Sequence, residues 1–289
     1  GHLVDQVAQL RKDGTQVILV SSGAVAAGRS KLASTDFLDT ISRRQVLASI
    51  GQVELMKIYS DHFSEKNLIC SQVLVTKEDF RTRAHYLNMK NCLESLLNSG
   101  VTPIINENDV ISITELMFTD NDELSGLVAA MLDVDSLVIL TNVDGIFTGN
   151  PNDSGSQLIR EYNERTVNIE EIVVGTKSNF GRGGMLAKAN TAIKLSKLGV
   201  KVYIGNGLKE NIINDLLTEN TGTCFPPKEH ETSNVKKWVA QSGSFAKGYI
   251  TINNGAKEAL LSTKATSLLP VGIIEISGDF KKGDVINII

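Results

Sequence analysis

Val17-Ile18-Leu19-Val20-Ser21-Ser22-Gly23-Ala24-Val25-Ala26-Ala27-Gly28 joins an unbroken apolar run to a chain of small residues. A continuous run of Val, Ile and Leu reads as a strand buried on both faces, because a half-exposed strand alternates. The small residues after it let the backbone turn sharply and aim N–H groups at an anion where the next helix begins. A plain strand-to-helix turn fits the same residues, so the segment alone leaves both readings open.

The same alternation continues along the chain. Helical spacing over Ser42–Lys66 is followed by strand patterns at Ile69 and Val73-Leu74-Val75. A helix through Tyr86–Leu97 stops at Asn98-Ser99-Gly100, a suitable C-terminal cap. Strands at Val101–Ile105, Ser136–Leu140 and Val200–Ile204 alternate with helices at Leu124–Leu132 and Leu186–Leu198. This order predicts an α/β fold with a mostly parallel central sheet sandwiched by helices. In such sheets the ligand lies at the carboxyl ends of the strands.

The pattern changes after Cys224. Pro226-Pro227 and the polar run Lys228–Lys237 read as a linker, followed by strands at Tyr249–Ile252, Val271–Ile276 and Asp284–Ile289 and a short helix at Gly255–Leu261. The expected division is a first domain over residues 1–227, a linker over 228–240 and a small β-rich domain over 241–289.

Composition excludes several classes. With 289 residues, 42% of them hydrophobic, and only 5 Pro, the chain is neither disordered nor collagen-like. The net charge of −4 does not suit bulk binding to nucleic acid or a membrane surface. The three cysteines, Cys70, Cys92 and Cys224, show no CxxC spacing, which favours a reduced, cytoplasmic setting. No apolar run is long enough for a transmembrane span. His2, His62, His85 and His230 are scattered and support neither a hydrolase triad nor a protein-built metal cage.

Three further segments carry candidate chemistry. Asn106-Glu107-Asn108-Asp109 follows a buried strand, and Asp120-Asn121-Asp122-Glu123 opens the Leu124 helix. Their carboxamides and carboxylates could clamp a small zwitterion, although simple helix capping also explains Asp120–Asp122. The spaced Asp ladder of a calcium loop is missing. Gly181-Arg182-Gly183-Gly184-Met185-Leu186-Ala187-Lys188 offers N–H groups before a helix, with Lys188 one turn inside and able to reach a phosphate. Its late position argues against a Rossmann dinucleotide site. Leu140–Thr148 contains an Asp144-Gly145 turn and by itself signals only a loop or hairpin.

Taken in order, these segments, with Gly51-Gln52, Tyr86-Leu87-Asn88 and Pro103–Asp109, resemble the amino acid kinase family, in the branch that phosphorylates glutamate. The tail, with Gly255-Ala256 and Ser267–Gly272, is similar to the start of a PUA domain. The resemblance implies ATP-dependent phosphorylation of the γ-carboxylate of L-glutamate, the first step of proline biosynthesis, with Mg²⁺ accompanying ATP. It assigns glutamate binding to Ser22, Asp109 and Asn121. It assigns stabilisation of the transferring phosphoryl group to Lys188, and orientation of the catalytic lysines to Asp122. Nucleotide contacts fall on Thr141 and Asn142 and on the loop Arg182, Gly183, Gly184, Met185, Leu186, Ala187 and Lys188.

The resemblance also implies feedback inhibition by proline and a homo-oligomer, dimer or tetramer. Two departures stand out. The family opens with a strand and a Lys-x-Gly-Ser/Thr loop, so a missing native N-terminus is expected ahead of Gly1-His2, and a truncated PUA-like domain at the other end. Asn142 stands where the family usually has Asp.

Two other readings compete: an amino-acid sensor with a kinase-like fold, and RNA binding through the tail. The tail carries Lys247, Lys257, Lys264, Lys281 and Lys282 against Glu258, Glu275, Asp279 and Asp284. That balance, with only Phe245, Tyr249 and Phe280 to stack on bases, is a poor RNA footprint, and RNA is not expected as a partner.

Overall fold

The computed structural model describes residues 1–32, 37–112, 118, 120–169, 184–219, 221–228, 246–262, 267–282 and 284–289. The first elements are α1 (His2–Lys12), β1 (Leu19–Val20), α2 (Ala24–Arg29), α3 (Thr40–Glu65), β2 (Ile69–Val75), α4 (Lys77–Arg81), α5 (Arg83–Asn98) and β3 (Val101–Glu107). They are followed by α6 (Asn121–Leu132), β4 (Ser136–Thr141), α7 (Met185–Ser196), β5 (Lys201–Asn206), α8 (Ile212–Leu217) and β6 (Thr223–Phe225).

Strands β1 to β6 form two three-stranded sheets, ordered β1-β3-β2 and β4-β5-β6. Within these two sheets all pairings are parallel except β5 with β6. Side-chain alternation on β3 and β5 sorts the helices onto two faces. Ile105 of β3 packs with α5 and α6, whereas its neighbour Ile104 packs with α1 and Phe63 of α3. On β5, Val202 and Ile204 meet α6 and α7, and Tyr203 meets α8. Two helices tie the sheets together. Helix α6 places Leu124, Leu127, Val128 and Met131 in one cluster and Ala129 and Ala130 in the other, and α1 does the same with Val4 and Val7 against Leu3 and Leu10.

Helices α2 and α3 cross in direct backbone contact. A Cβ on Gly51 would collide with the carbonyl oxygen of Ala24, and one on Gly28 with that of Leu47. Glycine is required at both positions because backbone atoms on the opposing helix cannot move aside as a side-chain tip can. Asp39 caps α3 by accepting from Ile41 N (2.9 Å) and Ser42 N (3.0 Å).

In the tail, β7 (Gly248–Ile252) is flanked by β8 (Ile273–Gly278), antiparallel, and β9 (Asn287–Ile288), parallel, with α9 over Asn254–Leu261. Several expected bounds shift. The Val17–Val20 run is strand only at Leu19–Val20, and the third tail strand only at Asn287–Ile288. Pro270–Gly272 forms a 3₁₀ turn instead of opening β8, consistent with proline lacking a ladder donor. Apart from Lys228, the expected linker lies outside the described residues. Among the described residues no helix is long and apolar enough to cross a membrane.

Candidate active site

A cleft of about 330 Å³ opens at the carboxyl ends of β1 and β3. It is lined by Ser22–Ala26 and Arg29 from the β1–α2 segment, Arg44 from α3, Asn106, Glu107 and Asp109 from the end of β3, and Asn121 from α6. Ser22, Asp109 and Asn121, separated widely in sequence, therefore come together.

Register explains the meeting. Val20 pairs with Ile105, and Ser21 N donates to the Ile105 carbonyl (2.9 Å). Ser22 is thus delivered beside the point where Asn106 leaves the same pair. The expectation that the polar residues begin after the strand is corrected: β3 continues through Glu107, and Asn106 and Glu107 are buried within it. Burial is tolerated because each is bonded. Asn106 Nδ2 donates to Gln52 Oε1 (3.0 Å), and its Oδ1 accepts from Glu107 N (2.9 Å) and Asn121 Nδ2 (3.2 Å). Glu107 Oε1 accepts from Phe118 N (3.0 Å). Burial pushes the Glu107 carboxyl above the usual range and Asp109 adds to the rise, against the Phe118 N–H and Arg44.

Helix α3 forms one wall of the site. Arg44 donates from Nε (2.9 Å) and Nη2 (2.5 Å) to Asp109 Oδ1, and from Nη2 to Glu107 Oε2 (3.2 Å). Two turns further, Gln52 holds Asn106, and two turns beyond that the Tyr59 hydroxyl lies 2.8 Å from Ser21 Oγ. Spacings of eight and seven residues keep all three on one helical face. Arg44 and Tyr59 escaped the sequence reading: a basic pair at the start of a long helix normally signals solvent.

Beside the cleft, Asn121 is followed by Asp122, whose Oδ2 accepts from Lys188 Nζ at 2.5 Å. Close packing of α6 on α7 sets this distance. One turn along, a Cβ on Gly126 would stand 2.8 Å from Thr191 Cγ2, so a larger residue there would push the Thr191 side chain aside. Asp120 caps α6 by accepting from Glu123 N (2.9 Å), as the helix-opening reading anticipates. Burial raises the Asp122 carboxyl above its ordinary value, with Lys188 pulling the other way.

Thr141 and Asn142 lie apart from this cleft, at the carboxyl end of β4. Thr141 is in register with Asn206 on β5, and its carbonyl accepts from Gly207 N (2.8 Å). The Asp144-Gly145 turn belongs to a loop anchored by Asn206 Nδ2 to Asp144 Oδ1 (3.0 Å) and Lys209 Nζ to Asp144 Oδ2 (2.7 Å). Arg182 and Gly183 lie outside the described residues. Gly184 caps α7, and Met185, Leu186 and Ala187 form its first turn. The side chains of Met185 and Leu186 pack on the core, so these two have backbone groups to offer a ligand.

Residues 1–206 match the model of the amino acid kinase family and residues 248–289 that of the PUA domain. The chain is 50% identical over 289 residues to a glutamate 5-kinase from Bacteroides thetaiotaomicron, a match covering 99% of this chain and 80% of that protein. It is 49% identical over 288 residues to one from Chlorobaculum tepidum, covering 99% and 79%. The fold is similar to that of carbamate kinase from Giardia lamblia bound to AMP-PNP, with a TM-score of 0.52 at 20% identity over 78% of this chain and 87% of that one. Family model, relatives and fold agree: the chain belongs to the amino acid kinase family and, within it, groups with the glutamate 5-kinases.

Proposed function

We propose that the cleft between Ser22, Asp109 and Asn121 holds L-glutamate, and that Lys188, positioned by Asp122, stabilises the phosphoryl group passing to it from ATP. The reaction is ATP-dependent phosphorylation of the γ-carboxylate of glutamate, the activity carried by the name of the relatives, which opens proline biosynthesis. The observation that carries the residue assignment is the Asn121-Asp122 step. It places a cleft-lining amide directly beside a carboxylate that holds a lysine ammonium.

The chemistry asks little covalent work of the protein. A carboxylate is already ionised at neutral pH, so the γ-carboxylate needs no general base. One of its oxygens forms a bond to the γ-phosphorus while the bridging oxygen leaves with ADP. Positioning and charge neutralisation supply the acceleration. Asp109 offers a carboxylate to the substrate ammonium, Ser22 and Asn121 offer donors to its oxygens, and Lys188 supplies positive charge at the transferring group. Thr141, Asn142 and the loop Arg182–Lys188 take the nucleotide.

Mg²⁺ suits this arrangement as a companion of the phosphates, held chiefly by their oxygens and neutralising their charge. Among the described residues no cluster of three His, Cys, Asp or Glu offers a separate cage. We further propose a kinase domain over 1–227 and a PUA-like domain over 241–289, a homo-oligomer, feedback inhibition by proline and a cytoplasmic setting. The test is ADP release by the full chain with MgATP, with and without glutamate. Glutamate-dependent turnover is expected, and its absence would refute the assignment.

A further inference from the structure

Arg44 belongs to none of the recognised segments, yet it is the residue around which the acidic side of the cleft is organised. Asp109 and Glu107 lie close together at the end of β3, with side chains 10% and 6% exposed. Two carboxylates so placed repel one another, and without a neighbouring cation one of them holds a proton. Nη2 of the Arg44 guanidinium reaches both at once while Nε holds Asp109 a second time, a two-nitrogen grip that the single ammonium of a lysine lacks. Its two bonds to Asp109 fall on the same oxygen, Oδ1, and neither uses Oδ2.

We propose that Arg44 is a positioning residue of the glutamate subsite: it fixes Asp109 by one oxygen, neutralises the Asp109–Glu107 pair, and presents the second Asp109 oxygen to the substrate ammonium. This rests on the glutamate reading of the cleft. Glu107 is locked from the other side by Phe118 N, so the three residues form a rigid strut from α3 to the end of β3. Among the described residues, the charged side chains that line the cleft with Asp109 are Arg44 from α3, Glu107 from the end of β3 and Arg29 from α2, while α6 contributes the neutral Asn121. Removing Arg44 therefore leaves two carboxylates competing for protons where one must stay ionised to bind an ammonium.

The experiment is titration calorimetry of the full chain with L-glutamate and with glutarate, which keeps both carboxylates but lacks the ammonium. Wild type, Arg44→Lys and Arg44→Met are compared from pH 6 to 9. Arg44→Met is expected to weaken glutamate binding at pH 7 by about 10- to 100-fold, the value of a hydrogen bond to a charged group. Its affinity should recover as pH rises and both carboxylates ionise. Arg44→Lys should lie between the two, and glutarate should bind all three proteins equally.

Unchanged glutamate affinity in Arg44→Met overturns the proposal. So does an equal loss for glutarate, which marks direct contact with a carboxylate or general collapse of the cleft. If Arg44→Met does not fold, the Arg44→Lys comparison of glutamate against glutarate decides by the same criteria. Calorimetry needs no turnover. Glutamate binding without ADP release would therefore count against the kinase assignment and leave the role of Arg44 standing.

Discussion

Lys188 Nζ and Asp122 Oδ2 stand 2.5 Å apart, joining the first turn of α7 to the first turn of α6 across 66 positions of sequence. Both side chains are 15% exposed, so the pair is partly withdrawn from water, where an ionic contact is stronger and a lost partner costs more. Replacing Lys188 with Ala should lower the rate of glutamate-dependent ADP release by about 10²–10³-fold, the scale of losing one donor at a developing charge. Because Asp122 also loses its partner the melting temperature should fall, so the rates are compared well below it. A rate near that of wild type would remove Lys188 from the mechanism.

The Asp122 carboxyl is raised above its ordinary 3.8 by burial. A carboxyl raised in the folded state holds its proton more tightly there than in the unfolded chain. Its contribution to stability is then complete below 3.8 and lost as pH climbs through the folded value. Asp122→Asn removes this loss. Measured by thermal unfolding, the variant should compare better with wild type at pH 7 than at pH 4, while its kcat falls. A variant that fares worse at pH 7 than at pH 4 would show that the Lys188 pairing outweighs burial.

Asn121 joins the cleft to Asn106 through its amide nitrogen. In Asn121→Asp the donor becomes an acceptor facing the Asn106 oxygen, and a negative charge enters a site for a dicarboxylate. The KM for glutamate should rise by about 10-fold or more, consistent with the loss of one charged-group hydrogen bond. The KM for ATP should hold. Steady-state kinetics with each substrate varied in turn would separate this from a general loss of fold, which raises neither KM selectively.

The α2–α3 crossing predicts a stability effect that needs no knowledge of function. Gly51→Ala places a methyl group against the Ala24 carbonyl and the backbone nitrogen of Gly28. Overpacking of this kind costs about 1–3 kcal/mol, and more where only backbone can yield. Urea denaturation should show a lower midpoint, and because α2 and α3 both line the cleft, glutamate affinity should fall with it.

Thr223 tests the loop that follows β4. It is 1% exposed; its hydroxyl accepts from Ile146 N (2.8 Å) and donates to the Ile159 carbonyl (2.6 Å). Thr223→Val keeps the shape but orphans both backbone groups, at about 1–3 kcal/mol. Chemical denaturation should register the loss, and no change would mean that water replaces the hydroxyl.

Much of this molecule is legible in its residues, because periodicity and strand-end polarity are local properties. The apolar run ending at Val20, the helix from Thr40 and the cap at Gly100 follow from neighbours a few positions away. Ser22, Asp109 and Asn121 are legible in another way, through the family resemblance, and they line one cleft. Asn106 and Glu107 read locally as residues beyond the strand, and only tertiary structure places them inside it. Polar residues read as the end of a strand, but here hydrogen bonds from Asn121, Arg44 and Phe118, and one donated to Gln52, let the strand carry them into the interior.

By itself, then, the amino-acid order determined the alternation of strands and helices, the family, and the polar segments that make the site. Tertiary structure alone decided which charges are paired and which face is the wall. Arg44 reaches Asp109 across 65 positions and Lys188 reaches Asp122 across 66, and no local pattern encodes either distance. The physical reason is range. Backbone periodicity is set within a turn of chain, whereas an ion pair forms wherever packing of whole helices brings two charges out of water together.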